Sequence, residues 1–136
     1  MNIYDATVID KMHHLDLGLF KYQITFTSVL LKEKYGTSIL DIIDNRLAHI
    51  PRFPELKIFK NGIQTLAGFT ASEYRNLMKV MIFVLDNLNI SETIQSNLLE
   101  LYESWNNMYL LSRSEEFSES NLVDFEVCYL FRNNAI

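Results

Sequence analysis

The sequence predicts an all-α protein, and three observations support this class. Apolar residues recur at three- and four-residue spacing through most of the chain, as they do along one face of a helix. Candidate helix caps separate these stretches, and only two prolines and four glycines interrupt the chain. A chain of 136 residues, 49% of them hydrophobic, can bury a core of its own. We therefore expect a single helical domain spanning 1–136, with about five helices in an irregular bundle and a strand or extended lead-in at 3–9.

The first helix is expected at 11–34, with Gly36 as its C-cap, because glycine readily adopts the left-handed conformation found there. Its predicted apolar face consists of Met12, Leu15, Leu19, Tyr22, Phe26, Val29 and Leu30. Thr37 or Ser38 can cap the second helix, and Pro51 ends it. The predicted buried face of the second helix consists of Ile39, Ile42, Ile43 and Leu47.

Three further helices are predicted after an irregular segment. Prolines and glycines punctuate 51–69, which indicates a long ordered loop. The apolar residues expected to hold this loop are Phe53, Leu56, Ile58 and Phe59. Thr70 and Glu73 have the spacing of a capping box, in which each side chain bonds the other residue's backbone amide, and they open the third helix. The candidate caps of the fourth and fifth helices are Asn89 or Ser91, and Ser118.

Charge argues against a free-standing nucleic-acid binder. Residues 1–60 carry a net charge of +1, whereas 61–136 contain four basic and ten acidic residues, a net of −6. Such binders usually need a basic patch that neutralises phosphates. DNA contacts would have to use basic residues of the first part, and the candidates are Arg46, Arg52, Lys57 and Lys60. Solvation, or ion pairs of the two arginines with Asp44 or Glu55, is the alternative interpretation.

Cysteine content and hydropathy favour an intracellular protein, nuclear or cytoplasmic. The single Cys128 has no partner for an internal disulfide, as is usual in a reducing compartment. The first residues lack the basic and apolar regions of a secretory signal. The longest apolar run covers 80–85, far short of the roughly 20 residues that cross a bilayer. We expect no membrane partner.

The segment around two adjacent histidines is the strongest chemical motif. On an α-helix Asp10, His13 and His14 occupy positions i, i+3 and i+4, so they share one face. Two imidazoles and a carboxylate suit a divalent metal, although no fourth ligand is evident, so we expect at best a weak site. A helix N-cap and a surface imidazole are the alternative. Asp16 and His14 are expected to be exposed, and Gly18, which weakens a helix, indicates a close approach.

Several blocks of residues carry a family resemblance. The blocks are Asp10-x-x-His13-x-x-x-x-Gly18-x-Phe20, Asp41-Ile-Ile-Asp44-Asn-Arg46 running on to Ile50-Pro51-Arg52-Phe53-Pro54, Phe59-Lys60-Asn61-Gly62, Phe69-Thr70-Ala71-Ser72-Glu73-Tyr74-Arg75 and Met78-Lys79-Val80. In this order they resemble the Plavaka-type DNA transposases of fungi, which belong to the Kyakuja–Dileera–Zisupton superfamily of cut-and-paste enzymes. The resemblance covers residues 8 to about 90, with a weaker echo to 126.

The resemblance implies an RNase H-like core that transfers phosphoryl groups with two divalent ions, Mg²⁺ or Mn²⁺, held by three carboxylates. Asp10 matches the second catalytic aspartate of the family, and His13 and Gly18 match its neighbours. The helices that follow resemble the insertion before the third carboxylate. That carboxylate has no selecting motif here, and the candidates are Glu100, Glu119 and Glu126. The first carboxylate is expected upstream of this sequence.

Two classes of function therefore remain open. In the first, the chain is a fragment or domesticated remnant of such a transposase, not catalytically competent alone, with Asp10 as a vestigial catalytic residue and no cofactor of its own. It would then contact DNA only within a full-length enzyme. In the second, the chain is a stand-alone helical module for protein interaction or dimerisation. Aromatic residues of the last helices, Tyr102, Trp105 and Tyr109 among them, are predicted to form a core or an interface, and an exposed apolar surface is expected to recruit a second copy or another partner.

Overall fold

The computed structural model describes residues 12–56, 62–114 and 118–134. The α-helices are α1 (Lys21–Tyr35), α2 (Ser38–Ala48), α3 (Ala71–Leu85), α4 (Glu92–Leu111) and α5 (Glu119–Asn134). A π-helical segment, Met12–Phe20, runs directly into α1. Five α-helices and the absence of strands from the described ranges confirm the predicted all-α class. The candidate strand at 3–9 lies outside the described residues.

The π-helical segment explains the glycine in the histidine motif. A π-helix has a wider turn than an α-helix and places residues i and i+5 above one another. A Cβ added to Gly18 would lie 2.8 Å from the carbonyl oxygen of His13, which is too close for any other residue without a shift of the backbone. This close approach is made to the backbone of the same helical segment, and the atoms near Gly18 in the described residues do not include any from a neighbouring helix.

Local capping interactions are present at the end of α1 and at the beginnings of α3 and α5. Gly36, with φ of 82°, donates its backbone N–H to the carbonyl of Lys32 at 2.9 Å, which confirms the predicted end of the first helix. The capping box is also confirmed, because the Thr70 amide donates to Glu73 Oε2 at 2.7 Å and the Glu73 amide donates to Thr70 Oγ1 at 3.3 Å. Ser118 caps α5 by accepting from an amide in its first turn. The predicted caps Thr37 and Ser91 occupy N-cap positions, but their side chains accept no capping hydrogen bond.

The core is organised around Phe20, at the junction of the π-helical segment and α1. Its ring meets Tyr74 of α3 and Tyr102 of α4 edge-on, with centroids 6.4 and 6.2 Å apart. The Trp105 ring lies 5.5 Å from it in a tilted arrangement. All four side chains are buried. Aromatic pairs with these geometries contribute beyond the area that they bury, so Phe20 joins three helical elements.

The predicted apolar face of the first helix is wrong at five of its seven positions, whereas Leu15 and Leu30 pack against the core. The residues of the π-helical segment and α1 that are buried in the core are Phe20, Gln23, Ile24, Thr27 and Leu31, together with Asp16. The residues that were expected to be buried and are exposed are Met12, Leu19, Tyr22, Phe26 and Val29. On α2 the prediction is correct for Ile39, Ile43 and Leu47, whereas Ile42 is exposed.

The segment between α2 and α3 is held by a carboxylate of α2. Asp44 Oδ1 accepts from the Ile63 amide at 2.6 Å, and its Oδ2 accepts from Gln64 Nε2 at 2.8 Å. A Cβ on Gly62 would lie 1.9 Å from the Asp44 carboxyl carbon, so only glycine fits beside it. The side chain of Ile63 is buried in the core. Asp44 therefore orders this part of the segment.

The prediction that apolar residues hold this segment is correct for Leu56 and wrong for Phe53. Leu56 packs against the core, as expected. Phe53 is exposed, so its predicted role is wrong. Ile58 and Phe59 lie outside the described residues.

Candidate functional site

The residues proposed for a metal site are only partly within the described structure. Asp10 lies outside the described residues. His13 and His14 are exposed on the π-helical segment, where the α-helical spacing assumed for the motif does not apply. In the described part of the chain no group of three histidine, cysteine, aspartate or glutamate side chains comes together.

Asp16, expected to be exposed, is instead almost fully buried, with 1% of its surface accessible. Its Oδ2 accepts from Arg75 Nη1 of α3 at 2.7 Å. Its Oδ1 is also buried and has no partner with hydrogen-bond geometry. Burial raises the pKa of the Asp16 carboxyl, and this effect outweighs the hydrogen bond and the charge of Arg75, which lower it. The carboxylate therefore holds the guanidinium in place at a net cost of desolvation.

Tyr109 of α4 completes this group. The Tyr109 hydroxyl lies near enough to Asp16 for each residue to shift the pKa of the other. Burial is the main cause of the raised pKa of Tyr109, and the negative charge of Asp16 adds to it. The phenol is consequently protonated at neutral pH and is a hydrogen-bond donor. Asp16, Arg75 and Tyr109 thus link the π-helical segment, α3 and α4.

A cavity of about 470 Å³ lies between α3 and α4, beside this group. The α3 wall presents Ser72, Arg75, Asn76, Met78 and Lys79, and the α4 wall with the residues after it presents Asn106, Tyr109, Leu110 and Arg113. Glu55 lies at its margin, where its backbone carbonyl accepts from Asn76 Nδ2 at 3.3 Å. Three cationic side chains and one carboxylate therefore face this cavity, in a chain whose net charge is −5.

Two of the four predicted nucleic-acid contacts, Arg46 and Arg52, lie within the described residues. Arg46 lies beside the C-terminal end of α3, where Nη1 donates to the Val84 carbonyl at 3.0 Å and Nη2 to the Asn87 carbonyl at 2.7 Å. Nη1 also bonds the carbonyl of Asp86. A cation suits the negative end of a helix dipole, so Arg46 has a structural role that was not predicted. Arg52 is exposed, and the other two candidates, Lys57 and Lys60, lie outside the described residues.

An exposed apolar surface covers the outer side of the first helix. Leu19, at the end of the π-helical segment, and Tyr22, Phe26 and Val29 of α1 form what we call the α1 outer face. Tyr22 is 71% exposed and Val29 is 48% exposed. These positions follow one another at spacings of three, four and three residues, so they lie along one side of the helix.

The surroundings of the α1 outer face are also uncharged. The ten residues between Lys21 and Lys32 carry no charge. The hydroxyls of Thr25 and Ser28 donate to the carbonyls four residues before them, each at 2.9 Å. A hydroxyl that bonds its own helix needs less from water. Covering this side of α1 would therefore cost little desolvation.

Comparison of the chain with protein-family models, curated proteins and solved structures finds no match. None of the helices in the described ranges is long and apolar enough to cross a bilayer. Fold and surface together define an all-α domain with an exposed apolar helix face on α1 and a cavity between α3 and α4 that is lined by both cationic and apolar residues.

Proposed function

We propose that the chain is a helical interaction module that pairs with a second copy of itself through the α1 outer face. The observation that carries this proposal is the exposure of Leu19, Tyr22, Phe26 and Val29 along one uncharged side of a helix. Contiguous exposed apolar surface marks interaction sites more often than isolated exposed residues do.

A second copy suits this surface better than a charged partner. The alternating three- and four-residue spacing is that of the a and d positions of a coiled coil, in which two like helices interdigitate. A two-fold interface uses the same patch on both partners, so each must be apolar where the other is apolar. Between Lys21 and Lys32 the helix has no charged side chain that could pair with a charged partner. The same stretch of a second α1 is also uncharged, so the two surfaces match.

Light scattering after size exclusion tests the pairing. At rising concentration the mass should move from 15.9 kDa toward twice that value. The double variant Tyr22→Lys with Phe26→Lys should remain monomeric, because two charges would have to be buried against the partner. Both positions are exposed, so we expect the fold to tolerate the changes.

Phe83→Lys is the matched control. Phe83 is 75% exposed on α3, away from the α1 outer face, and its replacement should leave the association unchanged. A wild-type mass that stays monomeric at all concentrations would contradict the proposal. Equal loss of association in the control would place the interface elsewhere.

A transposase-derived origin is the second candidate, and the order of the sequence blocks from Asp10 to Val80 favours it. In this proposal the chain is the helical region that follows the second catalytic aspartate, with Asp10 vestigial and no DNA cleavage by the chain alone. One aspartate of the three carboxylates is too few to hold two metal ions about 4 Å apart.

Two measurements test the second candidate. Sequencing of full-length transcripts should reveal an upstream coding segment that supplies the first carboxylate, and transcripts with only these 136 codons would contradict the proposal. Incubation of the isolated chain with plasmid and Mn²⁺ should produce no nicks. Nicking that is lost in Asp10→Ala would show that the chain is itself a nuclease.

A further inference from the structure

We propose that the cavity between α3 and α4 binds a small organic phosphate, a phosphomonoester with an attached flat or apolar group. Its volume of about 470 Å³ falls in the range of small-molecule pockets. The lining residues of each wall are spaced at i, i+3, i+4 and i+7, and all of these except Arg113, which follows the end of α4, lie on helices. These are Ser72, Arg75, Asn76 and Lys79 on α3, and Asn106, Tyr109, Leu110 and Arg113 from α4 and the residues after it.

The charges of the lining select an anion. Arg75, Lys79 and Arg113 line the cavity, and Glu55 is the only acidic residue among the described residues that line it. Lys79 and Arg113 form no ion pair with another described residue. Guanidinium and ammonium groups are the usual ligands of phosphate oxygens.

Arg75 is held ready for such a ligand. The Arg75 guanidinium donates one N–H to the buried Asp16 carboxylate at 2.7 Å, while 41% of the arginine side chain remains accessible. A guanidinium has five N–H donors, so most remain for a ligand. Asp16 is buried and is not part of the cavity lining, so it acts as a positioning residue. Its negative charge offsets part of the positive charge of Arg75, so we expect moderate affinity.

The other walls indicate an organic group and not phosphate alone. The cavity is far larger than one phosphate group. The three cationic residues can bind that group, and the remaining volume can hold an organic substituent. Tyr109, Met78 and Leu110 add an aromatic ring and apolar surface beside the cations. A DNA backbone would instead need a continuous basic stripe, and the acidic balance of residues 61–136 opposes one.

Titration followed by two-dimensional amide NMR tests the site, with adenosine monophosphate, inorganic phosphate and adenosine as probes. Adenosine monophosphate should bind saturably, with shifts confined to α3, α4 and Arg113, and more tightly than either phosphate or adenosine. Lys79→Gln and Arg113→Gln should each weaken binding about tenfold, as the loss of one charge-assisted contact implies. Both side chains are exposed, so the fold should be retained.

Lys34→Gln is the matched control, because Lys34 is an exposed helical lysine on α1 and not part of the cavity. It should leave the affinity unchanged. The absence of saturable shifts at millimolar concentrations of all three probes would overturn the proposal, as would equal weakening by Lys34→Gln. Tighter binding of a DNA oligonucleotide at the same residues, with steep salt dependence, would also overturn it and assign the cavity to nucleic acid.

Discussion

The two sides of the first helix have the same sequence spacing and opposite environments. The inner side uses Phe20, Ile24, Thr27 and Leu31, at spacings of four, three and four residues, and all four are buried. The α1 outer face uses Leu19, Tyr22, Phe26 and Val29, at spacings of three, four and three, and all four are exposed. Periodicity identifies both sides as helical stripes, and it does not decide which of them packs against the rest of the chain.

The inner side is even the less apolar of the two, because it includes Thr27. The hydroxyl of Thr27 donates to the Gln23 carbonyl at 2.9 Å and lies 3.0 Å from the Tyr102 hydroxyl of α4. A buried polar group is tolerated where it is hydrogen-bonded. A count of apolar residues therefore selects the wrong side. The contrast shows that packing partners elsewhere in the chain, such as Tyr102, determine which side of the helix is buried.

The largest expected effect comes from Phe20→Ala. Loss of a ring that contacts Tyr74, Tyr102 and Trp105 should lower the free energy of unfolding by about 3–5 kcal/mol, since it leaves a cavity in the core. Tyr22→Ala, two residues away on the exposed side, should change it by less than about 0.5 kcal/mol. Urea unfolding below the concentration of any self-association measures both. Similar losses for the two variants would contradict the assignment of inner and outer sides.

An intermediate effect is expected at the buried hydroxyl pair. Thr27→Val leaves the Tyr102 hydroxyl buried and without its partner, which should cost about 1–3 kcal/mol. Tyr102→Phe should cost less, because Thr27 keeps its bond to the Gln23 carbonyl. Urea unfolding of the two single variants and the double variant measures the coupling. If Tyr102→Phe proved the more damaging change, the hydroxyl pair would not be what makes Thr27 acceptable on the inner side.

The smallest effect concerns pH and Asp16. The pKa of this carboxyl is raised in the folded protein, mainly by burial, so the folded state binds its proton more tightly than the unfolded state does. Stability from this group is then present below its ordinary pKa of 3.8 and is lost as the pH rises through the folded-state value. Asp16→Asn cannot ionise, and its stability relative to the wild type should increase from pH 4 to pH 7.

Urea unfolding of both proteins at several pH values measures this difference. Glu33→Gln is the control, because Glu33 is an exposed carboxylate on α1 and its replacement should produce a smaller change with pH. A relative stability of Asp16→Asn that decreases toward neutral pH would show that the pairing with Arg75 outweighs the cost of burial.

The sequence by itself determined the all-α class and three of the helix ends. Gly36, the pair Thr70 and Glu73, and Ser118 act on atoms no more than four residues away, so their roles are readable from short patterns. The approach of Gly18 to the His13 carbonyl is also local, but it depends on the π-helical form of the segment. The π-helical form of that segment was not predicted, because a 3.6-residue period was assumed throughout.

Only the tertiary structure decided which helix side is buried and where the charged residues meet. Thr27 and Tyr102 are 75 residues apart, Asp16 and Arg75 are 59 apart, and Arg46 reaches a carbonyl 38 residues away. The cavity likewise lies between two helices, and no sequence pattern in its lining residues indicates that they come together in space. Local patterns determine where a helix begins and ends because capping acts within about one turn, whereas burial and charge pairing depend on which helices the folded chain brings into contact.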